Sequence, residues 1–243
     1  MFLWNLLLIP AALIVLYVIV VSMSAFLFVD PNREYDTYSP YFHFLVQTVF
    51  WWIMVLWRVR ITVSGMEKVP EGQRFLLVGN HRSNFDPLVT GKAFRKHRLS
   101  FLSKERNLRL FVAGRLIRRI CYMTIDRENA RNAILTIERA ADLMRRDVTS
   151  IAAYPEGTRS KTDEMLPFRN GVFKIAQKAA APVVIVYIRG TEKIMENYPL
   201  RRSRVFLEVV DVLDAEYVST HRTAEISDRV RDILLSDLNK ETK

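Results

Sequence analysis

The sequence predicts a single α/β domain, with a largely parallel or mixed sheet flanked by helices, preceded by a membrane-embedded helical hairpin. Three observations predict it. Beyond residue 58, short runs rich in Val, Ile, Phe or Tyr alternate with stretches of helical periodicity, the pattern of strands buried between helices. The first 57 residues hold only four charged side chains (Asp30, Arg33, Glu34 and Asp36) and all four tryptophans. The charge divides the same way: the head carries net −2, so the rest of a chain with net charge +10 carries +12. A length of 243 residues suits one substantial domain and an appendage, placed at residues 59–243 and 1–58.

From Phe2 to Val29 the chain is apolar except for Asn5, Ser22 and Ser24. As a helix it would be ~42 Å long, against ~30 Å of bilayer hydrocarbon. It lacks the basic start of a secretory signal, and its apolar run continues past the small residues at 22–24. It therefore reads as a retained membrane helix. Residues 41–57 form a shorter apolar stretch. His43 and Gln47 share one helical face, and Trp51, Trp52 and Trp57 favour the headgroup level. This stretch either crosses the bilayer or lies in one leaflet. The linker between the two has a single Arg, whereas Arg58 and Arg60 follow the second at once, so the positive-inside rule puts the domain on the cytoplasmic face. The single Cys121 agrees, since it can form no internal disulfide.

Strands are expected at 59–63, 75–78, 99–102, 122–125, 150–154, 183–188 and 205–210, and helices at 88–96, 108–119, 129–146, 172–180 and 224–238. No glycine set forms a GxGxxG or P-loop pattern, so no nucleotide site is expected. His43, His97 and His221 are scattered, and His81 and Asp86 have no partners at ligand spacing, so no metal site is expected.

Ligands of open α/β sheets bind beyond the carboxyl ends of strands. Two polar segments fall there: 79–87 (Gly-Asn-His-Arg-Ser-Asn-Phe-Asp-Pro) and 154–160 (Tyr-Pro-Glu-Gly-Thr-Arg-Ser). Each has an ordinary reading. Asp86 before Pro87 makes a good helix N-cap, His81 alone could be a loop histidine, and Glu156-Gly157-Thr158 could be a plain turn. Their joint occurrence, order and spacing, behind an apolar head, favour a catalytic reading instead.

The segment from Asn80 to Asp86 resembles the HxxxxD box of the glycerolipid acyltransferase superfamily, and Glu156-Gly157-Thr158-Arg159 resembles its EGTR box. Thr124-Ile125-Asp126-Arg127 is similar to the intervening box, although Cys121 and Thr124 stand where glycine and an aromatic are usual. Pro182 and the valines after it resemble the final proline-led strand. The resemblance spans roughly residues 60–190 and is closest to 1-acylglycerol-3-phosphate acyltransferases.

It implies acyl transfer from a thioester, acyl-CoA or acyl carrier protein, to a lysophospholipid hydroxyl, with no cofactor and no covalent acyl-enzyme. His81 would act as general base, with Asp86 holding the ring. Arg159, Gly157, Thr158 and Lys104 would hold the acceptor phosphate, with Glu156 and Arg127 in support. Glu156 would repel a phosphate, so it is expected to orient Arg159 or the loop backbone. Cys121 is expected on a strand as a core thiol.

Partners are then membrane lipids, the acceptor and the acyl carrier. The basic surface also suits anionic lipid. Nucleic acid is excluded by the absence of a binding motif and by tryptophans confined to the head. Two alternatives stay open: a sibling acyltransferase for glycerol-3-phosphate or another lysolipid, and a catalytically silent lipid-binding module.

Overall fold

A computed structural model describes residues 2–126, 129–160, 162 and 164–241. In chain order the elements are α1 (Phe2–Phe28), α2 (Pro40–Leu56), β1 (Val59–Ser64), β2 (Leu76–Gly79), α3 (Asp86–Ala93), β3 (Leu99–Ser103), α4 (Glu105–Leu108), α5 (Ala113–Arg118) and β4 (Met123–Thr124). They continue with α6 (Ala130–Arg145), β5 (Ser150–Ala153), α7 (Lys174–Ala179), β6 (Val183–Arg189), α8 (Ile194–Asn197), β7 (Ser203–Leu213), α9 (Ala215–Thr220) and α10 (Thr223–Glu241).

The strands form one sheet of seven in the order β1-β7-β6-β2-β5-β3-β4. All neighbours are parallel except β6 and β7, which are antiparallel. The mixed α/β sheet is therefore present, with a strand at each expected place. β2 and β5 are buried at every position and β6 at all but its last, as continuous apolar runs require when helices cover both faces. One face packs on α6, α7 and α10 through Ile137, Leu143, Ile175, Val230 and Leu234. The other packs on α2 and α3 through Met54, Phe85, Val89 and Phe94.

Two local expectations change, and two short helices are added. The helix expected at 108–119 is broken into α4 and α5. A Cβ on Gly114 would come 2.3 Å from the Leu108 carbonyl oxygen, so α5 can fold back this closely on α4 only at a glycine. Leu110 and Phe111 are left exposed in the turn between them. Cys121 lies not on a strand but in the turn before β4, at φ 61°. It is buried, and burial pushes its thiol up to about 11, so it stays protonated at neutral pH. The short α8 and α9 carried no clear periodicity in the sequence, since helices of four and six residues are too short to display it.

The hairpin is more closely tied to the domain than its composition indicates. α2 buries Phe42, Leu45, Val46, Phe50 and Met54, a stripe along its whole length. His43 and Gln47 face the domain too: His43 Nε2–H donates to the Arg95 carbonyl (2.9 Å) and Gln47 Nε2–H to the Gly91 carbonyl (2.9 Å). Those carbonyls lie around the C-terminal end of α3, where helix acceptors need partners. The opposite face of α2 exposes Tyr41, Phe44, Trp51 and Val55.

α1 runs antiparallel to α2, with Tyr17 bonded to Thr48 (2.8 Å) and Ser24 to Tyr41 (2.6 Å). Its stretch Leu8–Phe28 has mean hydropathy 2.6 and is long and apolar enough to cross a membrane. The acidic linker is pinned as well: Arg139 of α6 pairs with Glu34 (2.6 Å) and Asp36 (3.0 Å).

Candidate active site

The strand order places the two polar segments side by side. β2 lies between β5 and β6, so the loop after β2 meets the loop after β5 and the end of β6. Asn80 continues the β2–β6 ladder with its side chain, donating to the Ile188 carbonyl (2.7 Å) and accepting the Ile188 N–H (2.8 Å). His81 follows it directly.

Asp86 does not cap α3, whose N-cap is Phe85. Its carboxylate is 1% exposed and turns back into its own loop. Oδ2 accepts the N–H groups of Arg82 and Ser83 and Nδ1–H of His81, all at 2.8 Å. Oδ1 accepts the Thr191 hydroxyl. With both oxygens accepting, the carboxylate fixes the His81 proton on Nδ1 and leaves a lone pair on Nε2. The imidazole also stacks on Tyr154, with ring centroids 4.4 Å apart and planes at 13°. The Tyr154 hydroxyl hydrogen-bonds Thr90 (3.0 Å), and burial pushes its pKa well above the ordinary tyrosine value.

Glu156 turns to backbone. Oε1 accepts the His81 N–H (2.7 Å) and Oε2 the Leu166 N–H (3.1 Å). Burial raises its carboxyl pKa, an effect opposed by those two N–H donors. The Ser160 N–H donates to the His81 carbonyl (2.9 Å). Both backbone groups of His81 are thus held by the downstream loop, and its ring is held by Asp86 and Tyr154. Gly157 sits at φ 70°, and a Cβ there would lie 2.9 Å from Arg169 Nε, so this turn requires glycine both for its backbone and for the passage of Arg169.

His81 lines a cavity of about 670 Å³. Its cationic wall comprises Lys104, Arg106, Arg159 and Arg169, and its apolar wall includes Leu102, Ile117, Tyr122 and Ile137. Val49, Phe50 and Ile53 of α2 close one side, so the hairpin is part of the cavity wall. Gly157 lines the cavity; Thr158 is exposed and stands outside that lining. Lys104 is exposed at the start of α4. Arg127 lies outside the described residues. No cluster of three or more potential metal-ligating His, Cys, Asp or Glu side chains occurs among the described residues.

Thr191, Arg169 and the α2 residues were not singled out from the sequence as parts of the site, and Tyr154, which opens the second polar segment, was given no role in it. Arg169, flanked by Phe168 and Asn170, had only its charge as a signal. Thr191 had none, because its partner is 105 positions away.

The Acyltransferase family model matches residues 60–189, more than half of the chain. The chain belongs to the Acyltransferase family. A probable 1-acyl-sn-glycerol-3-phosphate acyltransferase of Mycoplasma pneumoniae is 32% identical over 143 residues, covering 57% of this chain and 53% of that protein. The 1-acyl-sn-glycerol-3-phosphate acyltransferase of Saccharomyces cerevisiae is 24% identical over 74% of this chain and 60% of its own length. The chain thus spans between about half and two thirds of these Acyltransferase relatives. The crystal structure of the 1-acyl-sn-glycerophosphate acyltransferase PlsC from Thermotoga maritima superposes with a TM-score of 0.64 at 22% identity, over 83% of this chain and 78% of that one. It shares the fold.

Proposed function

We propose that this chain transfers a fatty acyl group from an acyl thioester, acyl-CoA or acyl carrier protein, to the sn-2 hydroxyl of 1-acylglycerol-3-phosphate, giving phosphatidic acid. The observation that carries the proposal is His81, its Nδ1–H held by the buried Asp86 at 2.8 Å, on a cavity with both cationic and apolar lining. The relatives' activity is consistent with it.

The thioester is already activated, so the remaining barrier lies in the acceptor alcohol. His81 Nε2 takes the hydroxyl proton as the oxygen attacks the thioester carbonyl. The tetrahedral intermediate then collapses, the C–S bond breaks, and the imidazolium returns its proton to the leaving thiolate. General-base help of this kind is worth about 10²–10⁴ in rate. Asp86 holds the ring and stabilises the imidazolium.

Arg159 and Lys104 hold the acceptor phosphate, Arg159 as a planar two-point donor. Glu156 acts through backbone, fixing His81 and the 164–166 segment. The apolar wall receives acyl chain. α1 embeds in the bilayer, α2 lies in the interfacial layer against the domain, and the domain stands on the cytoplasmic face.

The test is an acyl-transfer assay of the full chain in lipid, over a panel of lyso-acceptors and with both donor types. Turnover is expected with 1-acylglycerol-3-phosphate. Transfer only to glycerol-3-phosphate or to a phosphate-free lipid would displace the proposed acceptor, and no transfer to any acceptor would leave a lipid-binding module.

A further inference from the structure

The corner of the fold formed by α8 and the turn into β7 exposes large apolar side chains that the catalytic proposal does not use. Leu200 is 85% exposed, Met195 62% and Tyr198 46%. Arginines surround them: Arg58, Arg60, Arg201, Arg202 and Arg204 are all exposed, with Glu196 the exposed acid on α8. The register accounts for the crowding, because Val59 pairs with Ser203 and Arg60 with Arg204 in the parallel β1–β7 ladder. The starts of those two strands, each preceded by arginine, therefore lie side by side.

This corner is at the catalytic end of the sheet. β6 runs parallel to β2, and Thr191, just past the end of β6, reaches Asp86. β7 is antiparallel to β6, so it starts at that end, and β1 starts beside it. The corner also continues the exposed face of α2. Trp57 follows α2 directly and lies 4.4 Å from the Tyr198 ring, while Arg58 Nη1–H donates to the Pro199 carbonyl (3.0 Å). Trp57 lies 5.1 Å from the Phe85 ring as well, so it bridges the corner and the loop that carries His81 and Asp86. Phe111, 76% exposed, stands against Phe26 of α1 at 4.6 Å in the region after the catalytic end of β3.

We propose that the α8–β7 corner is a membrane-docking surface, with Leu200 and Met195 entering the headgroup layer of an anionic leaflet and Arg201, Arg202 and Arg204 meeting its lipid phosphates. It rests on the proposal that α1 is embedded in the same membrane. An apolar tip ringed by arginine matches both layers of such a surface: the tip is buried below the headgroups, and the cations lie at phosphate level. Docking there turns the catalytic end of the sheet toward the bilayer, where a lysolipid acceptor resides. The arginines alone would also serve an acidic carrier protein, but Leu200 and Met195, both largely exposed, favour an apolar layer that buries them.

The test uses the full chain in vesicles of phosphatidylcholine with and without phosphatidylglycerol. An environment-sensitive fluorophore is placed at Leu200→Cys and, as a control at the opposite end of the sheet, at Glu71→Cys; the buried Cys121 is spared. Expected is a blue shift at position 200 that needs the anionic lipid, weakens with salt and responds to lipid-borne quenchers, with no shift at position 71. Arg201→Glu with Arg202→Glu should abolish the shift. That double variant should also lower turnover of vesicle-borne acceptor about tenfold, while turnover of a detergent-dispersed acceptor is unchanged.

An aqueous signal at position 200 in protein that floats with the vesicles overturns the corner assignment alone. Failure of the unmodified chain to float overturns the membrane placement of α1 and the corner with it. A rise in KM for acyl carrier protein, with the probe unmoved by lipid, would make the corner a protein-docking surface and also overturn the proposal. The probe reads position without turnover, so a different acyl acceptor leaves the test intact.

Discussion

Thr191 donates its hydroxyl proton to Oδ1 of Asp86 from 105 residues further along the chain, and both side chains are 1% exposed. The other carboxylate oxygen already serves His81 and two backbone N–H groups. Thr191 therefore sets the rotation of the carboxylate, and through it the plane of the imidazole.

Replacing Thr191 with Val keeps the shape but leaves Oδ1 buried without a donor, a cost of about 1–3 kcal/mol. In steady-state kinetics kcat should fall about tenfold with little change in KM, and Thr191→Ser should restore most of it. An unchanged kcat in the Val variant would show that the loop alone holds Asp86.

His81→Ala removes the proposed base and little of the packing, since the backbone of His81 is held through its N–H and C=O. Turnover should fall about 10²–10⁴-fold with the thermal midpoint nearly preserved. Wild-type rates in a folded variant would assign the base elsewhere.

Arg159→Ala should mainly raise KM for a phosphate-bearing acceptor, about tenfold or more for loss of a charge-assisted contact. The comparison is with a phosphate-free acceptor in the same vesicles. An equal effect on both would remove the assigned role.

Glu156 carries a pH signature. Burial raises its carboxyl above the ordinary 4.5, so the folded state binds this proton more tightly than the unfolded chain. The group therefore opposes folding at neutral pH, and its penalty is relieved as pH falls from above the raised value to below 4.5. Relative to Glu156→Gln, the wild type should gain thermal stability on acidification through that window. The Gln variant offers one acceptor for two backbone donors, so its turnover should drop at every pH. A stability difference that is constant with pH would contradict the raised value.

The alternation of apolar runs and helical periods was enough for seven strands and the main helices, because each strand falls in a short apolar run, most of these rich in Val, Ile, Phe or Tyr. His81 and Asp86 were equally legible, being five residues apart within one loop that follows a strand. The break between α4 and α5 was not, because the pattern of residues 108–119 is helical throughout and only the close approach of Gly114 to the Leu108 carbonyl ends the helix.

The role of α2 shows the same boundary. Composition made it a membrane segment; whether it faced lipid or protein depended on where His43 and Gln47 found acceptors, and those are carbonyls around the end of α3. By itself, then, the sequence determined the α/β class, the strand positions, the apolar head and the paired loops. Tertiary structure alone decided the sheet order, the Thr191–Asp86 bond, the two backbone N–H groups received by Glu156, and α2 as a cavity wall. The physical reason is range: periodicity and turn chemistry act over a few residues, whereas these contacts join segments that meet only after β2 has been placed between β5 and β6.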